Sequence, residues 1–445
     1  MPRSVTLRNV RDEPRFEASL CLPPDALHLL SSGTGTGKLS NWALLDSIAY
    51  MLPGVSNDTT ARALTRDGST AIQVTFLIAD PPHRSYWCIS CDCPDTQEED
   101  DDDDDSPFFD RTPKIVASAD HLALIEVGLT TYKPLQYFVY SAIDASPTLV
   151  PLPDIDDELG RLREPYGLMP THDIGSTHFI LAALTYNYNQ DDATQYDLHL
   201  FSSATSTWTR QPLSVDYGRA RKPGRLYPTK VIALEDGLLG WVDLWEGVLV
   251  RAKGPTMARF VPMPRPLPNN QKLYPVDEAR SLRDVTFDHG HIKCVEIEQL
   301  VRVKHKPAPV AHDPSVLLLL FDSQSPMVPE KDEYEAVGWR LITWFRALTW
   351  GHWQRGTILH SDEFGVVSWK DLQTCTPVLC DDNDNVVYLT SMLKKRRPQN
   401  ETAWMVAVDT KTKSLPHQPM PFSADRSSPN YPNIIPCALT RYLMC

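Results

Sequence analysis

The chain has no long hydrophobic run, since no continuous apolar stretch is longer than Val316-Leu317-Leu318-Leu319-Leu320-Phe321. A membrane-crossing helix needs about twenty apolar residues, so a membrane role is not expected. The first thirty residues also lack a continuous apolar segment following a basic start, and a secretory leader is not expected either. Nine cysteines scattered over 445 residues are an odd number and do not form the even framework of a small disulfide-stapled fold. Reduced thiols and a cytoplasmic or nuclear location are the expectation.

An excess of positive charge is missing as well. Lys and Arg total 43 against 57 Asp and Glu, for a net charge of −14. The run from Glu98 to Asp105 supplies eight of those negative charges and leaves −6 for the rest. A mildly acidic body does not provide the broad basic face that nucleic acid requires, so no nucleic-acid partner is expected. Catalytic signatures are absent too: there is no Gly-x-Ser-x-Gly elbow and no His-Glu-x-x-His, and the 13 histidines do not cluster with acids at a recognised spacing. No catalytic, cofactor-binding or metal-ligating residue is assigned, and no cofactor is expected.

What the chain does contain is strand after strand. Short runs rich in β-branched and aromatic residues occupy 71–79, 85–91, 114–118, 121–127, 136–141, 179–185 and 198–201. The pattern continues through 230–234, 238–244, 247–251, 283–287 and 291–297, with turns at Ala119-Asp120, Glu235-Asp236-Gly237 and Asp288-His289-Gly290. An Asp-x-Gly turn between apolar runs is a hairpin signal, because Gly accepts positive φ and Asp bonds its own turn. Only residues 42–52 carry a trace of helical periodicity, and they are read as a single short helix candidate.

A loose repeat overlies these strands. Phe138-Val139-Tyr140-Ser141, His199-Leu200-Phe201-Ser202 and Val406-Ala407-Val408-Asp409 are each followed by a proline eleven positions after the last apolar residue, at Pro151, Pro212 and Pro419. A fourth copy, Val248-Leu249-Val250 to Pro262, carries one extra residue. The copies lie 61 and then 49 residues apart, from Tyr140 to Phe201 to Val250, close to the roughly 50-residue unit of kelch-type blades. The expected fold is all-β and β-propeller-like, in the kelch or F-box-associated style, with five to seven irregular blades and little helix. Residues 1–40 are expected to form a poorly ordered lead-in and residues 41–440 a single domain. Within that domain, 94–107 is expected to be a disordered acidic loop, and insertions are expected within 303–338.

Several motifs invite a chemical reading and fail on spacing. Gly33-Thr34-Gly35-Thr36-Gly37-Lys38 resembles a phosphate loop, but Ser32 stands where the first Gly belongs and Leu39 where Ser or Thr would hold magnesium. Cys88, Cys91 and Cys93, with His83 nearby, offer ligand types, yet strand alternation sets Cys88 on the face opposite Cys91 and Cys93. Asp381-Asp382-Asn383-Asp384-Asn385 begins like a calcium loop, but Val386 and Met392 replace its Gly and Glu, which leaves a polar hairpin turn. Lys394-Lys395-Arg396-Arg397 reads as a solvated loop or a nuclear address, and the sequons at Asn57 and Asn400 as chance.

The block Gly240-Trp241-Val242-Asp243-Leu244-Trp245-Glu246-Gly247 is the most distinctive. Alternation would put Trp241, Asp243 and Trp245 on one face. Two indoles flanking a carboxylate suit a sugar or a cation. They equally suit packing between blades, with Asp243 bonding a turn backbone.

This block resembles the domain-of-unknown-function 1618 family, together with Trp42-Ala43-Leu44-Leu45-Asp46, Thr59-Thr60-Ala61, Ser85-Tyr86-Trp87-Cys88, Ala117-Ser118-Ala119-Asp120 and Arg283-Asp284-Val285-Thr286. The resemblance covers most of residues 41–440 and implies a plant origin. Glu246 departs from the family's usual Arg after the second Trp. The family brings no established activity, cofactor or catalytic residue with it. The style is also that of F-box-associated and kelch-like proteins, although no three-helix F-box is present.

Two functions follow as expectations. The first is a non-catalytic protein-interaction module with a protein partner. The second is a carbohydrate-binding or glycoside-active propeller that uses a central acidic cluster of Asp243, Asp284 and Asp322, since glycosidases need paired carboxyl groups flanking one cleft.

Overall fold

The described strands fold into five short antiparallel meanders and one mixed sheet, in which β1 and β2 pair with β5 in parallel. A computed structural model of the chain describes residues 22–23, 26–31, 40–92, 109–129, 135–143, 146–153, 164–171, 178–187, 196–223, 225–251, 257–274, 279–304, 333–365, 372–380, 385–393, 402–423 and 433–443. Blade 1 contains β1 (Ala43–Asp46), β2 (Tyr50–Met51), β3 (Ala61–Leu64), β4 (Ala71–Leu77) and β5 (Arg84–Asp92). Blade 2 is β6 (Phe109–Ala119), β7 (Leu122–Leu129), β8 (Gln136–Ser141) and β9 (Thr148–Pro151). Blade 3 is β10 (Tyr166–Pro170), β11 (Phe179–Tyr186), β12 (Tyr196–Ser202) and β13 (Thr207–Asp216). Blade 4 is β14 (Lys230–Ala233), β15 (Leu239–Asp243), β16 (Gly247–Arg251) and β17 (Met257–Pro262). Blade 5 is β18 (Arg283–Asp288), β19 (His291–Lys304), β20 (Glu333–Ala347) and β21 (Gln354–His360). Blade 6 is β22 (Leu372–Leu379), β23 (Val386–Leu393), β24 (Thr402–Asp409) and β25 (Met420–Ser423). The last strand, β26 (Ile434–Cys437), returns to blade 1 and pairs antiparallel with β1, Ala43 opposite Cys437.

The hydrophobic core is divided among the spaces between consecutive blades. Phe76 and Trp87 meet Phe138 and Tyr140 between blades 1 and 2. Leu124 meets Leu168 and Phe201 between blades 2 and 3, and Leu198 meets Trp241 and Phe260 between blades 3 and 4. Val242 and Val248 meet Val285 and Cys294 between blades 4 and 5, and Trp339 meets Leu389 and Val408 between blades 5 and 6. Tyr388 and Met405 meet Trp42, Leu44 and Ile434, which closes the sequence back onto blade 1. The outcome is the all-β, β-propeller-like fold expected from the sequence, and the described strands form six such groups, each packed on the next.

Where a strand such as β1 is buried on both faces, neighbouring residues serve different interfaces. Leu44 belongs to the blade 6 side and Leu45 to the blade 2 side. This double burial corrects the helix expected at residues 42–52: the segment forms β1 and β2 instead. A strand covered on both sides reads as a continuous apolar run, and periodicity alone does not separate such a run from a helix.

The proline repeat acquires a physical cause. Its apolar runs lie on β8, β12, β16 and β24, the third strand of blades 2, 3, 4 and 6. Pro151, Pro212 and Pro262 lie on the fourth strand of their blades, opposite Phe138, Asp197 and Gly247, and Pro419 directly precedes β25. A residue without an N–H is tolerated on an outer strand, where no further ladder is needed on its free side. Blades 3 and 4 are the exception, since β13 and β17 also pair in parallel through Ser214 to Asp216 and merge the two into one eight-stranded sheet.

Turn chemistry also follows the sequence. His289 and Gly290 both have positive φ, 46° and 78°, between the paired residues Asp288 and His291. That is the twist a two-residue hairpin requires. The acidic run, the insertions at 305–332 with the apolar stretch from Val316 to Phe321, the basic run at 394–397 and nearly all of the lead-in lie outside the described residues.

Candidate functional site

The first strands of blades 2 to 6, together with β26 on blade 1, line a cavity of about 820 Å³ bordered by Ser118, Tyr166, Lys230, Asp284, Val378 and Ile435 among others. Polar side chains at its wall staple neighbouring blades. Asp284 of β18 accepts a hydrogen bond from Lys230 Nζ of β14 at 2.8 Å and from the backbone N–H of Leu379 on β22 at 2.9 Å. One carboxylate thereby joins blades 4, 5 and 6. Lys114 of β6 reaches Glu164, beside β10, and Ser118 lies 3.3 Å from the Cys437 sulfur on β26.

Asp243 is not among the residues that line this cavity. It is buried at the end of β15, and its carboxylate accepts the N–H of Tyr227 at 2.8 Å, of Trp245 at 3.0 Å and of Glu246 at 3.1 Å. Burial holds its carboxyl above the usual range, and the three backbone donors pull it back toward ionisation. The acidic cluster expected from the sequence therefore does not assemble from its described members. Asp243 organises a turn, Asp284 is committed to a lysine and a backbone amide, and Asp322 lies outside the described residues.

The two tryptophans of the block also part company. Trp241 has no exposed surface and packs between blades 3 and 4, whereas Trp245 sits with Val242 and Leu244 against the cluster between blades 4 and 5. This corrects the expectation of a shared face. The strand ends at Asp243, and the turn through Leu244 to Glu246 interrupts the two-residue alternation before Trp245 is reached. Gly247 then restarts the sheet so close to β17 that a Cβ there would lie 2.6 Å from the Val261 carbonyl oxygen. The cation expected over an indole is present and internal: the Arg283 guanidinium lies 5.3 Å from the Trp245 ring.

Around the Asp243 turn the surface is rich in tyrosine and arginine. Tyr227 is 65% exposed, and Arg225 lies 4.9 Å from its ring and 5.1 Å from that of Tyr186. On the other side of the turn Tyr274, 41% exposed, packs edge-on against Trp245 at 5.7 Å and donates its hydroxyl proton to Glu246. That bond pushes the Tyr274 phenol above its usual range, and the positive charge of Arg221 opposes the shift. The signal for this surface in the sequence is the stretch from Tyr217 to Lys230, which holds five cations, Arg219, Arg221, Lys222, Arg225 and Lys230, and no carboxylate.

The cysteine motif does not converge. Cys88 is buried beside Tyr50 and Tyr86, its thiol pushed up to about 12 by burial, while Cys91 packs on the opposite side of β5. Asn57 spends its side chain internally: its amide donates to the Phe76 carbonyl at 2.9 Å and its oxygen accepts the Thr59 N–H at 2.8 Å. Among the described residues no group of His, Cys, Asp and Glu could hold a metal ion, and no helix is long and apolar enough to cross a membrane. The phosphate-loop-like glycines, Cys93 and most of the calcium-loop-like run, residues 381–384, lie outside the described residues.

Comparison with known proteins finds one family similar to part of this chain. Residues 241–388 match the family described as protein of unknown function (DUF1618), the same family that the sequence resembles. No curated protein matches the chain. Among solved structures it is similar to the alpha-L-arabinofuranosidase Arb93A from Fusarium graminearum in complex with an iminosugar inhibitor, at 7% identity and a TM-score of 0.19, over 87% of this chain and 71% of that one. A likeness that low says nothing about activity.

Proposed function

We propose that this protein is a non-catalytic, propeller-like interaction module that binds a protein partner through the tyrosine- and arginine-rich surface around the Asp243 turn. One observation carries this reading: Tyr227, 65% exposed, has its backbone N–H held by the buried Asp243 carboxylate and its ring flanked by the Arg225 guanidinium. Tyr, Trp and Arg dominate the residues that supply binding energy at protein interfaces. A tyrosine fixed in advance loses little conformational freedom when it docks. The carboxylates marked in the sequence as hydrolytic candidates and described in the structure support binding over catalysis, because Asp243 and Asp284 are already spent on backbone amides and a lysine.

The test is site-specific photocrosslinking from position 227 in the intact chain, with a crosslinker at Lys411 on blade 6 as control. A protein crosslinked from 227 alone, which in purified form binds the parent and binds Tyr227→Ala at least about tenfold more weakly, supports the reading. Equal crosslinking from both positions, or turnover of aryl glycosides that disappears in Asp284→Ala, overturns it.

A further inference from the structure

We infer that the partner segment received by this surface is an acidic, extended peptide; the inference rests on the interaction reading above and names the chemistry of its partner. Charge contrast is the first support. The whole chain carries −14, yet the connection from β13 to β14 holds four cations, Arg219, Arg221, Lys222 and Arg225, and no carboxylate. Arg219, Arg221 and Lys222 are exposed there, ahead of the half-buried Arg225. On an otherwise acidic molecule such a patch selects anionic partners and steers their approach.

The second support is geometric. Arg225 lies beside two aromatic rings, Tyr186 and Tyr227, and a guanidinium so placed is restricted to few orientations, which suits the planar fork that carboxylates recognise. The Asp243 carboxylate ties the backbone of Tyr227 to that of Trp245 and Glu246. Tyr274, packed edge-on against Trp245 and bonded to Glu246, adds a further exposed aromatic ring at that turn. Aromatic anchors and cations are thus interleaved, as binding of acidic side chains along a short peptide requires.

A peptide is favoured over nucleic acid by what borders the patch. Asp216, exposed, bonds the Gly218 N–H at the start of the cationic stretch, and Glu246, half-buried, holds the Tyr274 hydroxyl; beside these carboxylates a continuous phosphodiester backbone would meet repulsion that a peptide with spaced carboxylates avoids. The cationic stretch is also short, whereas nucleic-acid affinity draws on many phosphate contacts.

The experiment is fluorescence anisotropy with the intact chain and three labelled probes: an Asp/Glu-rich dodecapeptide containing one tyrosine, a Gly/Ser dodecapeptide, and a single-stranded RNA dodecamer. The acidic peptide should bind, and binding should weaken as salt is raised from about 50 to about 500 mM. Reversing the exposed cations in Arg219→Glu/Arg221→Glu/Lys222→Glu should weaken it at least about tenfold, while Lys411→Glu on blade 6 leaves it unchanged and thermal unfolding shows both variants folded. Unaltered affinity in the triple variant, no binding of the acidic peptide at low salt, or tighter binding of the RNA would each overturn the inference. A partner crosslinked from position 227 whose binding survives the triple reversal would sink the acidic-peptide assignment and leave the interaction reading standing.

Discussion

Arg283 and Glu296 face each other directly across β18 and β19 and form an ion pair of 2.7 Å in which neither side chain is exposed at all. Every remaining bond of the pair reaches into blade 4 or the segment that follows it. Arg283 donates to the carbonyls of Leu244 at 3.1 Å and Pro264 at 3.0 Å, and Glu296 accepts the Leu267 N–H at 2.8 Å and the Asn270 side-chain amide at 2.7 Å. Buried charges of opposite sign cost desolvation and are held by geometry. Here that geometry fixes the platform beneath Trp245 and Tyr274.

Removing one partner should therefore cost more than removing an ordinary surface pair. Glu296→Gln or Arg283→Met should lower stability by about 3–5 kcal/mol, because an uncompensated charge or donor set stays buried. Equilibrium denaturation measures it. A loss no larger than that of an exposed pair such as Lys413 with Glu363, at about 0–1 kcal/mol, would contradict the assigned role.

The tryptophans of the distinctive block should respond unequally. Trp241, enclosed between blades 3 and 4, should cost about 3–5 kcal/mol on truncation to Ala. Trp245 is only partly buried and should cost less, while its loss frees Tyr274 and weakens partner binding. Comparable destabilisation by the two truncations would mean that the separation of their environments has no energetic meaning.

Asp243 should leave a pH signature. Burial raises its folded-state pKa above that of the unfolded chain, so the folded state holds the proton more tightly. Its contribution to stability is then fully present below the ordinary carboxyl range near pH ~4 and is lost as pH rises through the raised folded value. Asp243→Asn does not titrate, so the stability of the parent relative to this variant should fall across that window. A difference that instead grows with pH would show that the three backbone donors outweigh burial.

Closure by the C-terminal strand should be indispensable. β26 supplies the partner of β1 and part of the wall of the central cavity. A chain ending before residue 433 should expose the edge of β1 and the Trp42 and Leu44 cluster. Loss of a single cooperative unfolding transition, together with association on size-exclusion chromatography, is the expected outcome. Unchanged melting would show that the blades hold together without closure.

Strand positions, hairpin turns and the repeat were legible in the sequence because they depend on neighbours. Branched and aromatic residues settle into extended runs, Asp288-His289-Gly290 supplies its own turn conformation, and a proline lands on an outer strand whose N–H is not needed. The proline repeat even marked the third and fourth strands of four blades before any blade was seen. Residues 42–52 escaped this logic, because a strand buried on both faces carries no alternation to read.

The site belonged to the tertiary structure. Trp245 left the face of Trp241 because the strand stops at Asp243, a boundary set by pairing with β14 and β16 and not by composition. Asp243 and Asp284 took structural partners from Tyr227 and Leu379, residues 16 and 95 positions away. The surface around Tyr227 joins Tyr186, Arg225 and Tyr274 from three separate segments. Local sequence dictates where a strand or turn can form, since the interactions that decide it span a few residues. Which side chains meet is decided by how the blades close around the cavity, and that juxtaposition has no counterpart in linear order.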